Sequence, residues 1–147
     1  MLEFIALDLE GTLISNAMSQ IPRPGLYSFI ETCAKCTSNL VLYSAVNPDR
    51  CRQIMKVLAQ EGDVPMWFAE IDIVIWDYRN HSAKKDLTLI QTNWTCGILV
   101  DDIEEYVAAE QLSSWIPISN YDGYTKSDVE LERVAEVIVK RARAMEL

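Results

Sequence analysis

Short apolar runs that stop at a polar residue alternate with amphipathic stretches along this whole chain, and that pattern restricts the fold more than any other feature. Leu2 to Leu7, apolar except for Glu3, runs into Asp8. Asn39-Leu40-Val41-Leu42-Tyr43 runs into Ser44, and Cys96-Gly97-Ile98-Leu99-Val100 runs into Asp101 and Asp102. Near-continuous apolar runs of this length are what strands buried on both faces require. Trp67-Phe68 with Ile71 to Trp76 predicts a third strand in chain order, and Trp115 to Ile118 a last one.

Between these runs apolar residues recur at helical spacing. Leu26, Phe29, Ile30 and Cys33 predict a helix over 23–36, with Pro22 and Pro24 suited to its start. Asn47 to Gln60 predicts another, with Asn47 as N-cap, Pro48 at the first helical position and Gly62 past the end. Short helices are expected over Asp86 to Thr92 and Ile103 to Glu110. Ser127 and Glu130 have the spacing of a capping box, opening a C-terminal helix with Leu131, Val134, Val137 and Ile138 inward. Strands alternating with helices predict an α/β fold: a doubly wound, mostly parallel five-stranded sheet with helices on both faces. There is no repeat or low-complexity tract, and residues 1–147 suit one domain.

Right-handed crossovers carry the polar strand ends to one edge of such a sheet, where ligands of doubly wound folds bind. Any single acid there could simply cap the helix that follows. A set of carboxylates gathered at one edge is different, because it repels itself unless a cation is present. Oxygen-only donors suit a hard ion, and Mg²⁺ characteristically takes one or two carboxylates, waters and a substrate phosphate.

The local sequence narrows this further. Asp8-Leu9-Glu10-Gly11-Thr12-Leu13 closely resembles the first motif of the haloacid-dehalogenase-like superfamily, Asp-x-Asp-Gly-Thr-Leu/Val. Ser44 at a strand end, Lys85, and Ile98-Leu99-Val100-Asp101-Asp102 resemble the second, third and fourth motifs, in the right order. A narrower resemblance is to the small phosphatases of the NLI-interacting-factor-like group, related to those acting on the RNA polymerase tail. It is carried by Lys85-Asp86-Leu87-Thr88-Leu89-Ile90, Arg23-Pro24-Gly25 and Trp115-Ile116-Pro117-Ile118.

The resemblance implies a Mg²⁺-dependent hydrolase of phosphoric monoesters in which Asp8 forms an aspartyl-phosphate. It implies metal binding by Asp8, the backbone carbonyl of Glu10 and the Asp101/Asp102 pair, leaving open which of that pair touches the ion. Thr12, Ser44, Ala45 and Lys85 are the expected substrate-binding residues, with Lys84 the competitor of Lys85. Glu10 departs from the family's usual Asp. It carries the same acid–base chemistry on one more methylene, and a ~1 Å displacement is enough to cost ~10²-fold in rate.

Other features bound the reading. Thirty-five residues lie between Asp8 and Ser44 and 40 between Ser44 and Lys85, too few for a cap domain once their helices and strands are placed. The site is therefore expected to be open, suiting a phosphorylated small molecule or phosphoprotein unless a second subunit covers it. Tyr78, Arg79, Asn80 and His81 form a polar insert that could touch substrate; an exposed turn is the commoner role. A net charge of −9 argues against nucleic-acid backbone as a partner. No apolar run is long enough to cross a bilayer and no basic region precedes one at the N-terminus, so a cytoplasmic location is expected. Cys33 and Cys36 match C-x-x-C but lack a second such pair, and are expected to be reduced packing residues. Three alternatives remain. A catalytically weak binding or scaffold relative is favoured by Glu10, and a phosphotransferase or dehalogenase shares the fold. A phosphorelay receiver would place its acidic pair on the first strand.

Overall fold

The computed structural model describes residues 1–76 and 84–146. Its five strands are β1 (Phe4–Leu7), β2 (Leu40–Leu42), β3 (Asp72–Ile73), β4 (Gly97–Asp101) and β5 (Trp115–Pro117). They form one sheet in the order β3-β2-β1-β4-β5. Every neighbouring pair is parallel, with Leu7 level with Leu42 on one side and with Val100 on the other. β1 lies at the centre, and all four of its residues are buried, as its apolar run requires.

Alternation along the strands divides the core in two. Ile5, Leu7, Leu42, Ile98 and Val100 face α1 (Leu26–Cys36), α2 (Pro48–Gln60) and α3 (Glu130–Ala144) in the larger cluster. Phe4, Ala6, Val41, Tyr43 and Leu99 face the other way, against Leu87, Val107 and the rings of Trp76, Trp94 and Trp115. Short 3₁₀ helices cover this second face, at Leu87–Leu89, Trp94–Cys96, Glu104–Tyr106 and Ala109–Ser114. The division follows from crossover handedness: connections to β2 and β3 step one way along the sheet, and those to β4 and β5 step the other. Phe4 and Gly97 sit opposite each other, and a Cβ on Gly97 would fall inside the Phe4 ring, so only glycine allows this strand pairing.

α2 begins as its sequence predicts, with the Asn47 carboxamide accepting from Asp49 N at 2.9 Å and Pro48 in the first turn. Several elements differ from expectation. α1 starts at Leu26 and not at Arg23, because Gly25 adopts φ +83° and Arg23 is drawn into the interior. Trp67 and Phe68 lie in a 3₁₀ helix over Met66–Glu70, leaving β3 only two residues of the expected strand. The helices expected at 86–92 and 103–110 are 3₁₀ turns. The capping box does not form. Asp128 Oδ1 accepts from Glu130 N, while the Glu130 carboxylate turns to Ser119 N and Arg133. No described helix is long and apolar enough to cross a membrane.

Candidate active site

Asp8 leaves β1 at the carboxyl edge of the sheet, its amide donating to Val100 O at 3.0 Å. The chain then reverses over residues 9–14. Leu13 N donates to Leu9 O, Gly11 N donates to Ile14 O at 2.8 Å, and Gly11 takes φ +75°. A Cβ at Gly11 would strike the side chains of Asn120 and Asp102, so glycine is required by both backbone and space. The turn aims Thr12 Oγ1 back at the strand end, donating to Asp8 Oδ2 at 2.9 Å, with Asp102 Oδ1 at 3.4 Å.

Lys85 completes the centre. Its amide donates to Tyr106 O at 2.6 Å, which fixes the backbone beside the 106–107 segment. Its Nζ, fully buried, donates to Asp8 Oδ1 at 2.8 Å and to Asp101 Oδ2 at 2.5 Å. The rings of Tyr106, Trp76 and Tyr43 lie 5.5, 5.7 and 6.0 Å from that ammonium, within cation–π range. Lys84, the competitor, instead donates to Glu105 O at the surface.

The two acids at the end of β4 have different surroundings. Asp101 is fully buried, with one oxygen bound to Lys85 and the other accepting from Ile103 N at 3.0 Å. Asp102 is half-buried and accepts from Asn120 Nδ2 at 2.8 Å. Glu10 is also half-buried, its Oε2 accepting from Ala17 N at 2.7 Å. The Ala17 carbonyl is in turn held by Arg50 Nη2 at 2.9 Å, so the Glu10 carboxylate is anchored through the following loop to α2. Ser44 is buried, accepts from Val46 N at 3.1 Å and stands one register step beyond Asp8. Ala45, next to it, is exposed. Asp8, Thr12, Lys85, Asp101 and Asp102 are thus linked directly, whereas the Glu10 and Ser44 side chains bond to the backbone amides of Ala17 and Val46 outside that set. Tyr78, Arg79, Asn80 and His81 lie outside the described residues.

Burial is the largest influence on these charges. It holds the Asp8 carboxyl well above the usual range; Lys85 pulls against it, and Asp101 and Asp102 push with it. Asp101 is raised for the same leading reason, with Lys85 opposing. Burial pulls the Lys85 ammonium down, but Asp8 and Asp101 outweigh it and its pKa rises. One ammonium therefore serves two carboxylates with Asp102 beside them, and one oxygen from each of the three acids lies within 4.8 Å of the others. Such an all-oxygen, under-neutralised set fits a hard divalent cation. Of the two acids at the end of β4, Asp101 is fully buried with Lys85 on one oxygen while Asp102 is half-buried, which leaves Asp102 the more available ligand beside Asp8.

Sequence reasoning missed Arg23, Asn120 and the rings around Lys85. Arg23 stands within Arg23-Pro24-Gly25, where the flanking prolines point to a helix start; the others carry no local signal. The C-x-x-C pair lies in α1, all four cysteines are free, and burial holds the Cys33 thiol up. A family model described as NLI interacting factor-like phosphatase matches residues 4–146. No curated protein matches the chain.

Proposed function

Since this chain belongs to the NLI interacting factor-like phosphatase family, we propose that it hydrolyses phosphoric monoesters with Mg²⁺, through an aspartyl-phosphate on Asp8. The observation that carries this reading is the buried Lys85 ammonium bridging Asp8 and Asp101, with Asp102 alongside. A carboxylate held by Lys85 on one oxygen and Thr12 on the other is oriented but nucleophilic.

In the first step an Asp8 oxygen bonds to phosphorus as the ester P–O bond breaks. Glu10, as general acid, gives a proton to the departing oxygen. In the second step Glu10 takes a proton from water, the water oxygen bonds to phosphorus, and the Asp8–phosphorus bond breaks, releasing phosphate. Ser44 and Lys85 donate to phosphoryl oxygens in both steps, within a binding surface that includes Thr12 and Ala45. Asp8, Asp102 and the Glu10 backbone carbonyl would hold Mg²⁺, and Asp101 acts on Lys85. When bound, the ion neutralises phosphoryl charge so that an anionic nucleophile can approach an anionic substrate.

The chain works as one capless domain in the cytoplasm, on a phosphorylated small molecule or phosphoprotein. Glu10 favours a second reading, a binding relative without turnover. Aryl-phosphate hydrolysis measured with Mg²⁺, with chelator, and with Asp8→Asn separates them. The proposal expects metal-dependent turnover lost in the variant; no turnover above buffer in the wild type would leave the binding reading.

A further inference from the structure

Arg23 is a buried charge that the chemistry above does not use. Its side chain is 0% exposed and that of its partner Asp128 9%. Nε and Nη2 donate to the two Asp128 oxygens at 2.9 Å each, a two-pronged pairing across most of the chain. Nη1 donates to Gly11 O at 3.2 Å and Thr12 O at 3.3 Å, and Nη2 also reaches Ser119 Oγ at 3.2 Å. The guanidinium carbon lies 5.4 Å from the centre of the Tyr121 ring. The Arg23 amide adds a third tie to the same turn, donating to Leu13 O at 2.9 Å.

We propose that Arg23 and Asp128 are a positioning pair for the nucleophile: the guanidinium clamps the Gly11 and Thr12 carbonyls to the segment between β5 and α3. The consequence is direct. Thr12 Oγ1 donates to Asp8 Oδ2, so the peptide that Arg23 holds sets the hydroxyl that orients the attacking carboxylate. Gly11 O also accepts from Tyr121 N at 2.9 Å, and Asn120 holds Asp102, so the same segment reaches both carboxylates. Arginine is needed because one planar fork must serve a carboxylate and two carbonyls together, which an ammonium on a flexible stem cannot do. A purely structural role is the competing account, since Asp128 also accepts the first amide of α3.

This inference rests on the phosphatase reading, and one set of assays judges the two separately. Wild type, Arg23→Lys and Asp128→Asn are compared for kcat and KM on an aryl phosphate with saturating Mg²⁺. Rates are normalised to the folded fraction by circular dichroism, and Mg²⁺ affinity is measured by calorimetry. Asn at 128 retains the acceptor for α3 but not the charge, so it decides the matter if Arg23→Lys does not fold. Positioning predicts that kcat per folded molecule falls ~10- to 100-fold with KM within ~2-fold. It also predicts weaker Mg²⁺ binding and no rescue by Lys. Unchanged kcat per folded molecule in Asp128→Asn, beside an active wild type, overturns the inference. An inactive wild type overturns the phosphatase reading instead.

Discussion

At the scale of single residues, the centre is arranged for chemistry at the expense of stability. Two buried carboxylates share one ammonium with a third acid beside them, so removing an acid and removing the lysine should act in opposite directions. Asp8→Asn relieves repulsion and leaves the Lys85–Asp101 pair intact. Urea unfolding without metal should show it as stable as wild type or up to ~2 kcal/mol more stable. Lys85→Met leaves two buried acids without their cation and should cost ~3–5 kcal/mol in the same assay. Glu10 makes a second case. Its longer side chain reaches Ala17 N at 2.7 Å, so the loop is fitted to Glu. Restoring the family's Asp should lose that anchor and lower kcat ~10-fold or more. A faster Glu10→Asp enzyme would show that the extra methylene is a handicap and not an accommodation. Asp8, Ser44 and Asp101 were legible because each ends an apolar run. Arg23 was not, because a fully buried arginine is rare and its partner lies 105 positions away.

Elements repeat the lesson. Continuous apolar runs mark β1, β2 and β4 because these central strands are covered on both faces. Trp67-Phe68 misleads because an apolar pair serves a 3₁₀ turn as well as a strand, and the sheet edge needs only Asp72 and Ile73. At α3, serine–glutamate spacing alone could not show that Glu130 is claimed by Arg133 at 2.6 Å and Ser119 N at 3.0 Å. The Arg133 hydrogen bond is the main reason the Glu130 carboxyl is pulled down from 4.5 to about 2. A depressed folded pKa adds stability that is present above the unfolded pKa and lost as pH falls toward the folded one. Glu130→Gln should therefore be less stable than wild type at neutral pH, modestly because the pair is partly exposed. The difference should shrink between pH 4.5 and about 2 in thermal melts. A difference independent of pH would exclude the ion pair as its cause.

For the molecule as a whole, topology does the assembling. The sheet places β1 at its centre with β2 and β4 beside it, so residues far apart in sequence meet at one carboxyl edge. α-Helices pack one face and 3₁₀ turns with aromatic rings the other, and Lys85 enters the centre from that second face. The account then reduces to one covalent event on one residue. Wild-type enzyme turning over an aryl phosphate with Mg²⁺ can be quenched in acid, digested and read by mass spectrometry, with hydroxylamine to cleave an acyl phosphate. The phosphoryl group should be found on Asp8, labile to hydroxylamine and absent from Asp8→Asn. Phosphate on another residue, or hydrolysis that continues in Asp8→Asn, would contradict the account.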